Sequence, residues 1–471
     1  MKLVDAKYRF LCVILKTVRS ALLLLFFLCA LVRIVSNDTV TPIISVSPAT
    51  SFNYGITKVM SAPYAPLIFP SDRYHPDKNG IWRKRTNRFT YACPAMLKYN
   101  IHSLIIRALN TPASRMDLLP VKSTIRTSAG SDSRTALCMF TGDIMCLGGQ
   151  QSEARTPDGF DFWPSFRLVS RFFEQADFVC GNLETVLSDS HPITLDQRLA
   201  GDGNPQCNGP VEFLRALRKA GYDMLITANN HTCDWGMSGI EETKNNLDAY
   251  RFANLGTYDD RFTIFDINGI HLAILCYTRI MNQRDSMPGG LLEKTVHMYS
   301  PEVVTEDINA ARSAGADFIV VYCHWGTENT RELDTKQKTD AAIIAKAGAD
   351  LIIGSHPHCL QSCEYIETAD GRKVLCMYSL GNFSSSMLRV DINRDTVILQ
   401  VKLGYDPDSE GISIRDISYI PCRITEYRGR NLVIVPTDPS LNGGYSGSNL
   451  KESEMRTDTV MNGVIPKYTP R

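Results

Sequence analysis

From about residue 135 onward, short apolar runs alternate with helical stretches, and this alternation limits the possible folds more than any other feature. Short apolar runs are typical of buried strands, and strands separated by helices indicate a layered α/β fold. The runs cover residues 136–141, 177–180, 223–227, 271–277, 317–323, 351–353, 374–379 and 396–401. The helical stretches cover residues 166–175, 210–220, 239–250, 301–314 and 336–347.

The run at 351–353 leads directly into a bend that carries two histidines, His356 and His358, with one proline between them. Because they are two residues apart, a bend rather than a helix has to turn both rings toward one point. Neutral imidazole is the commonest metal ligand in proteins, so the pair indicates a metal site. On its own, a His-x-His pair fits a structural role equally well.

Four other runs also end in polar side chains. Asp143 follows the first, Asn182 and Glu184 the second, Asn230, His231 and Asp234 the third, and His324 the fifth. Each residue alone has an ordinary interpretation as a turn former, a helix cap or a core histidine. The carboxyl ends of neighbouring strands share one rim, however, and five such ends together favour a metal site. Carboxylate, amide and imidazole without thiolate suit Mn²⁺, Zn²⁺ or Fe²⁺, as in two-metal hydrolytic sites.

The first 36 residues form a separate segment in which lysines and arginines precede an apolar block at 21–32. The block is short for a transmembrane helix, which needs about 20 apolar residues, but Arg19 and Arg33 can snorkel and extend its reach. The basic excess before the block predicts a cytoplasmic N terminus and an exported body. We expect an uncleaved, single-pass anchor, although a cleaved signal peptide fits the same pattern.

Charge is balanced, with 50 Lys+Arg and 50 Asp+Glu, so no overall field draws the chain toward nucleic acid. A polyanionic partner would need a local basic patch. At 44% hydrophobic residues the chain can bury one large core or two. Cys359 and Cys363 flank the histidine bend at a spacing that permits a disulfide.

Six motifs appear in a fixed order: Gly-Asp-x-Met (142–145), Asn-Leu-Glu (182–184), Ala-Asn-Asn-His-x-x-Asp-x-Gly (228–236), His-Trp-Gly (324–326), Gly-Ser-His-Pro-His (354–358) and Tyr-Ser-Leu-Gly-Asn-Phe (378–383). In this order they resemble the CapA family of capsule and poly-γ-glutamate biosynthesis proteins, relatives of the calcineurin-like metallophosphoesterases. The resemblance covers about residues 135–425. It implies an α/β fold in the form of a four-layer αββα sandwich, metallophosphatase-like, with an N-terminal membrane anchor.

The resemblance also implies a role for each polar residue at the strand ends. The implied metal ligands are Asp143 and His358 for one ion, Asn230, His324 and His356 for a second, and Glu184, or else Asn182, between them. His231 would donate a proton to the leaving group, oriented by Asp234.

The first two motifs depart from the phosphoesterase pattern. Those enzymes usually carry Asp-x-His where this chain has Met145, and Gly-Asp where it has Asn182. A thioether is a poor ligand for hard cations and an amide brings no charge. One or two divalent ions are therefore possible.

The resulting interpretation divides the chain into an anchor (1–36), a stalk and ill-defined extension (37–133), a CapA-like domain (134–425) and a tail (426–471). We expect a metal-dependent hydrolase-type protein at the cell membrane, with its catalytic domain outside the cytoplasm. It would serve synthesis, export or anchoring of poly-γ-glutamate or a related anionic polymer, together with other membrane synthase subunits. The alternatives are a non-catalytic subunit that binds polymer or metal, and a general secreted metallophosphoesterase.

Overall fold

The computed structural model describes residues 74–76, 80–84, 134–197, 206–258, 260–406 and 411–470. These residues all belong to one compact unit, Tyr64–Arg471. Within them, no helix combines the length and the apolar character needed to cross a membrane. The predicted anchor at 1–36 lies outside the described residues, as does most of the predicted stalk and extension.

The strands are β1 (Tyr74–Pro76), β2 (Ile81–Lys84), β3 (Thr135–Ile144), β4 (Arg155–Thr156), β5 (Gly159–Phe160), β6 (Phe178–Leu183), β7 (Met224–Ile226), β8 (Ala253–Leu255), β9 (Thr263–Ile267), β10 (Ile270–Thr278), β11 (Phe318–His324), β12 (Leu351–Ser355), β13 (Cys363–Glu367), β14 (Lys373–Met377), β15 (Asn382–Ser384), β16 (Asp395–Asp406), β17 (Gly411–Tyr427) and β18 (Arg430–Pro436). The helices are α1 (Gly148–Ala154), α2 (Trp163–Phe166), α3 (Ser170–Phe173), α4 (Glu212–Ala220), α5 (Gly236–Ala249), α6 (Leu292–Thr295), α7 (Pro301–Ser313), α8 (Thr335–Ala347) and α9 (Ser448–Met461).

Two large mixed sheets organise the described part of the chain. The first has the order β1-β2-β9-β10-β11-β12-β14-β13, and the second has the order β18-β17-β16-β3-β6-β7-β8, with β15 paired to β3. In the first sheet β10, β11, β12 and β14 run parallel, and in the second β3, β6, β7 and β8 do. Each parallel set therefore brings its carboxyl ends to one edge of its sheet.

The two sheets face each other across one shared core. Phe140 and Phe178 of the second sheet pack in the same cluster as Ile274, Val320 and Ile353 of the first. Alternate residues of these strands face outward instead, and they form two further clusters with helices. Helices α2, α3 and α4 cover the second sheet, and α7 and α8 cover the first. The order of layers is helix, sheet, sheet, helix, because strands buried on both faces need cover on both sides.

The eight predicted strands and four of the five predicted helices appear where the sequence placed them, with small shifts at their ends. Residues 166–175 differ, because they form two short helices, α2 and α3, joined by a turn at Val169. Phe166, Phe172 and Phe173 still bury their rings against the sheet. Cys359 and Cys363 do not bridge, since the Cys359 thiol donates to the carbonyl oxygen of Thr330 and that of Cys363 faces Met461.

Residues 426–471, which the sequence suggested as a tail, contain β18 and α9. Strand β18 pairs with β17, and Leu450 of α9 packs against Val433 and Val435 of β18. Met461 at the end of α9 reaches the core between the sheets. Residues 74–76 and 80–84, inside the predicted stalk and extension, add β1 and β2 to the first sheet, where Tyr74 is buried.

Gly354, at the end of β12, shows how tightly the strand ends are packed. A Cβ atom built on it lies 1.9 Å from the carbonyl oxygen of Tyr378 and 2.6 Å from Nε1 of Trp325. Both neighbours are fixed, because the Trp325 ring donates to that same carbonyl over 3.0 Å. Only glycine fits there without moving the backbone that leads into the histidine bend.

We predict that Gly354→Ala lowers the free energy of unfolding by about 3 kcal/mol, because an overpacked site surrounded by backbone has no easy relaxation. Gly289→Ala is the matched control, since among the described residues no atom beyond its chain neighbours lies within 4 Å of a Cβ built there. Denaturant unfolding of both variants checks this. Equal stability of the two would contradict the packing described at Gly354.

Candidate metal centre

Asp143, fully buried at the end of β3, is held in place from three sides. Its backbone N–H donates to the carbonyl oxygen of Gly381 over 3.0 Å, and Asn182 Nδ2 donates to its Oδ1 over 2.7 Å. The backbone N–H of His356 donates to its Oδ2 over 3.1 Å. The carboxylate thus connects strand β3, strand β6 and the histidine bend.

The histidine bend turns both rings inward, as the sequence predicted. His356 has φ +94° and His358 has φ +57°, a left-handed backbone that non-glycine residues adopt only at a cost. The ring centroids lie 5.9 Å apart, and the His356 centroid is 4.8 Å from that of His324. Three imidazoles therefore meet at one rim.

The imidazole rings of His324 and His358 are oriented by hydrogen bonds. His324 Nδ1 lies 2.9 Å from the Ser355 hydroxyl, so its Nε2 faces Asn230 Oδ1 at 2.8 Å. His358 Nδ1 donates to Asn382 Oδ1 over 2.9 Å. Fixing one ring nitrogen in this way leaves the other to face the interior of the site, as metal-ligating histidines require.

Glu184 lies at the centre of this arrangement. It is fully buried, with Oε1 at 3.4 Å from His324 Nε2 and 3.8 Å from His358 Nε2, and neither carboxylate oxygen has a hydrogen-bond partner within the described residues. Nδ1 of His356 and Nδ2 of Asn230 also lack one there. A buried ionised carboxylate without a partner costs several kcal/mol, and a bound cation removes that cost. The residues therefore fit a divalent metal ion.

Two sets of ligand atoms share Glu184. Asp143, Glu184 and His324 form one and Glu184, His356 and His358 the other, with ligand atoms within 4.8 Å of one another in each. This grouping differs from the division that the family resemblance implies, in which His324 and His356 bind the same ion. It agrees with that division in putting Glu184 between the two sets.

The ionisation equilibria follow from burial and from these neighbours. Burial, and then the charge of Asp143, raise the pKa of Glu184 well above its usual range. Burial lowers the pKa of His324 to about 3 and the pKa of His356 well below its usual range. Burial also acts against protonated His358, but Glu184 and Asp143 outweigh it and raise its pKa to about 9. His324 and His356 are therefore neutral at pH 7, which is the form that binds metals.

Asn182 and Met145 occupy the two positions that depart from the phosphoesterase pattern. Both ends of the Asn182 amide are engaged, since Nδ2 donates to Asp143 and Oδ1 accepts from Asn229 Nδ2 over 3.1 Å. In this structure Asn182 therefore orients Asp143. Met145 is buried, and its sulfur lies 3.7 Å from the Ser385 hydroxyl.

His231 and Asp234 form the pair that the sequence suggested. His231 Nδ1 lies 2.7 Å from Asp234 Oδ2, which also accepts the backbone N–H of Cys207 over 2.5 Å. Burial acts against protonated His231, but Asp234 outweighs it and raises the pKa of the imidazole above its usual value. His231 does not cap helix α5, whose N-cap is Trp235.

Four residues that sequence reasoning missed complete the site: Asn229, Ser355, Asn382 and Cys207. The first two directly adjoin candidate ligands, and Asn382 belongs to the Tyr-Ser-Leu-Gly-Asn-Phe motif. Cys207, whose sulfur lies 3.9 Å from His231 Nε2, follows no strand and gave no signal.

Comparison with known proteins identifies the family of this chain. A family model described as bacterial capsule synthesis protein PGA_cap matches residues 137–387, just over half of the chain. The chain belongs to this family. The matched interval contains every residue of the candidate metal centre described above, and the predicted resemblance to capsule proteins is confirmed.

Two curated relatives are similar over the same part of the chain. The capsule biosynthesis protein CapA of Bacillus anthracis is 31% identical over 262 residues, which are 52% of this chain and 58% of that protein. The PGA biosynthesis protein CapA of Bacillus subtilis is 30% identical over 255 residues, 52% of this chain and 62% of that protein. The chain thus matches about three fifths of each relative's length.

Two solved structures are similar at low identity. The calcineurin-like phosphoesterase YfkN from Bacillus subtilis aligns with a TM-score of 0.36 and 14% identity, over 70% of this PGA_cap chain and 99% of that one. The 5'-nucleotidase precursor from Thermus thermophilus aligns with a TM-score of 0.38 and 13% identity, over 69% and 58%.

We predict that His324→Ala and His356→Ala each lower the bound metal per chain and remove the rise in melting temperature that added Mn²⁺ gives the wild type. The domain should stay folded, since both rings lie on a rim and not in the sheet core. Elemental analysis and thermal melting measure this, with His271→Ala, at the amino end of β10, as control. A variant that unfolds early yet retains its metal would make these histidines structural.

Proposed function

We propose that this PGA_cap protein is a membrane-anchored, extracytoplasmic protein with a metal-dependent hydrolase-type site of the metallophosphatase kind. It acts in synthesis, export or anchoring of capsular poly-γ-glutamate or a related anionic polymer, in contact with other membrane synthase subunits. Family membership supports the link to capsule polymer, and the names of the two relatives, a capsule biosynthesis protein and a PGA biosynthesis protein, agree with it.

The unpartnered carboxylate of Glu184 is the observation on which the hydrolase proposal depends. Asp143, Glu184 and the three imidazoles, together with the Asn230 carbonyl, would hold one or two ions of Mn, Zn or Fe. Such an ion, when bound, supplies Lewis acidity toward a phosphoryl or carbonyl oxygen of the substrate. Hydrogen bonds with Asn182, Ser355 and Asn382 orient Asp143, His324 and His358 respectively, so these three side chains would need little rearrangement to bind an ion.

His231 supplies the proton in this proposal. It follows Asn230 directly, so its ring lies next to the site. The charge of Glu184 contributes to raising the pKa of this imidazole. Asp234 fixes Nδ1 and leaves Nε2 as the nitrogen that can deliver a proton to a leaving group. The substrate bond would be a phosphoester or an amide of the polymer.

A non-catalytic subunit that binds metal or polymer is the second candidate. Asn182 and Met145 favour it, because neither adds negative charge where the phosphoesterase pattern has charged or imidazole ligands. One bound ion per chain, or none, would support this candidate, whereas two would support hydrolysis.

We predict that His231→Asn abolishes turnover, with a loss of about 10²–10⁴ in rate, while metal content and polymer binding stay near wild type. The readouts are capsule production in cells and bound metal in the purified protein. His271→Asn is the control for the same substitution away from the site. Full capsule production by the His231→Asn strain at normal protein level would reject the catalytic role in favour of binding.

We predict that the protein sediments with the membrane fraction and that protease added to intact cells digests it. The basic flank before the apolar block at 21–32 is the reason. Recovery of the protein in the soluble cytoplasmic fraction would contradict this.

A further inference from the structure

Four arginines surround two aspartates beside the histidine bend. They come from the segment after β11, from the turn before β16, from β17 and from α9, and we call them the arginine cluster: Arg331, Arg394, Arg423 and Arg456, around Asp391 and Asp395. Four guanidinium groups and two carboxylates leave a net charge of +2. The cluster itself therefore carries positive charge, in a chain whose overall charge is zero.

Two of the arginines satisfy the carboxylates. Arg423 Nη1 donates to Asp395 Oδ1 over 2.7 Å and Arg456 Nε to Oδ2 over 2.7 Å, while the Ser453 hydroxyl donates to Oδ1 over 2.6 Å. Asp391 accepts from Arg423 Nη2 over 2.5 Å and pairs with Arg456 at 3.0 Å. These contacts attach helix α9 to the second sheet, and they use most of the acceptor capacity of both carboxylates.

The other two arginines keep unused donors. Arg331 comes no closer than 3.6 Å to Asp395, and Arg394 Nε lies 3.7 Å from Asp391. Nε and Nη2 of Arg331 and Nε of Arg394 are buried atoms without a hydrogen-bond partner within the described residues, whereas the two side chains as a whole are 29% and 28% exposed. Burial, and then the charge of Arg423, lower the pKa of Arg394.

Hydrogen bonds connect this cluster to the metal centre. Asn382, which orients His358, donates through Nδ2 to the carbonyl oxygen of Asn393 over 3.3 Å. Asn393 Nδ2 donates to Asn329 Oδ1 over 2.5 Å, and the Asn329 N–H donates to the carbonyl oxygen of Pro357 over 2.9 Å. Arg394 follows Asn393 directly and Arg331 lies two residues beyond Asn329. An anion at these arginines would therefore lie next to the histidine bend.

We propose that Arg331 and Arg394 form a subsite for carboxylates of the anionic polymer, next to the metal centre. This rests on the proposed function, because a poly-γ-glutamate chain carries one free carboxylate per residue. A guanidinium with unused donors pairs with a carboxylate through charge-assisted hydrogen bonds. One residue of the polymer would be held here while a neighbouring part reaches the metal centre.

The test measures binding of a short γ-linked oligoglutamate to the full chain in detergent. Arg331→Ala and Arg394→Ala should each weaken binding about tenfold and reduce its salt dependence, while bound metal stays at the wild-type level. Arg415→Ala is the matched control, because Arg415 lies on the same strand as Arg423 and forms a partly exposed ion pair with Asp406 at 2.9 Å. It removes the same charge and should leave binding unchanged. If one variant is poorly folded, the other still tests the subsite.

The outcomes separate the subsite from the proposed function. If the wild type binds the oligomer but both variants bind it equally well, the arginines only attach α9 and the subsite is rejected, while the polymer function stands. If the wild type does not bind it at all, the polymer function fails with it. Equal binding of an oligomer whose carboxylates are converted to amides would also reject the subsite. Competition by inorganic phosphate as strong as that of the oligomer would reveal a general anion site and overturn the polymer assignment.

Discussion

The structure around the candidate metal centre depends on one buried carboxylate, that of Glu184. Two imidazole nitrogens face its Oε1 at 3.4 and 3.8 Å, and neither carboxylate oxygen has a hydrogen-bond partner within the described residues. A fold does not retain such a group for its own stability, because desolvation of the carboxylate is costly. The left-handed backbone of His356 and His358 adds a second cost at the same place. Both costs are explained if a cation binds there. The Glu184 carboxylate would then be a ligand, and the left-handed backbone would hold the rings of His356 and His358 as ligands beside it.

Much of this could be predicted from sequence because it depends on local patterns. Apolar runs such as 317–323 and 351–353 predicted buried strands, and the polar residues that follow them were placed together by the rule that parallel strands share a carboxyl edge. The candidate ligands do converge in the structure. The prediction of a shared site was strong because the ends of five predicted strands each carried such polar residues.

The features that were not predicted depend on contacts distant in sequence. Asn382 orients His358 only because β15 pairs with β3, a register that no local pattern encodes. Cys207 contacts the His231–Asp234 pair from a loop without periodicity. The short strands β1 and β2 lie in a stretch of mixed composition, and α9 follows two long antiparallel strands whose pairing only the fold determines.

Charge balance at the centre bears on the choice between hydrolysis and binding. Asp143 and Glu184 are its two carboxylates, and the three imidazoles and Asn230 are neutral as ligands, so the protein neutralises the equivalent of one divalent ion. The phosphoesterase pattern has an aspartate where Asn182 stands, and that additional charge would help to hold a second ion. Here Asn182 uses both ends of its amide to orient Asp143 and Asn229. A second ion would depend on negative charge brought by the substrate, and an anionic polymer held by nearby arginines would bring that charge with it.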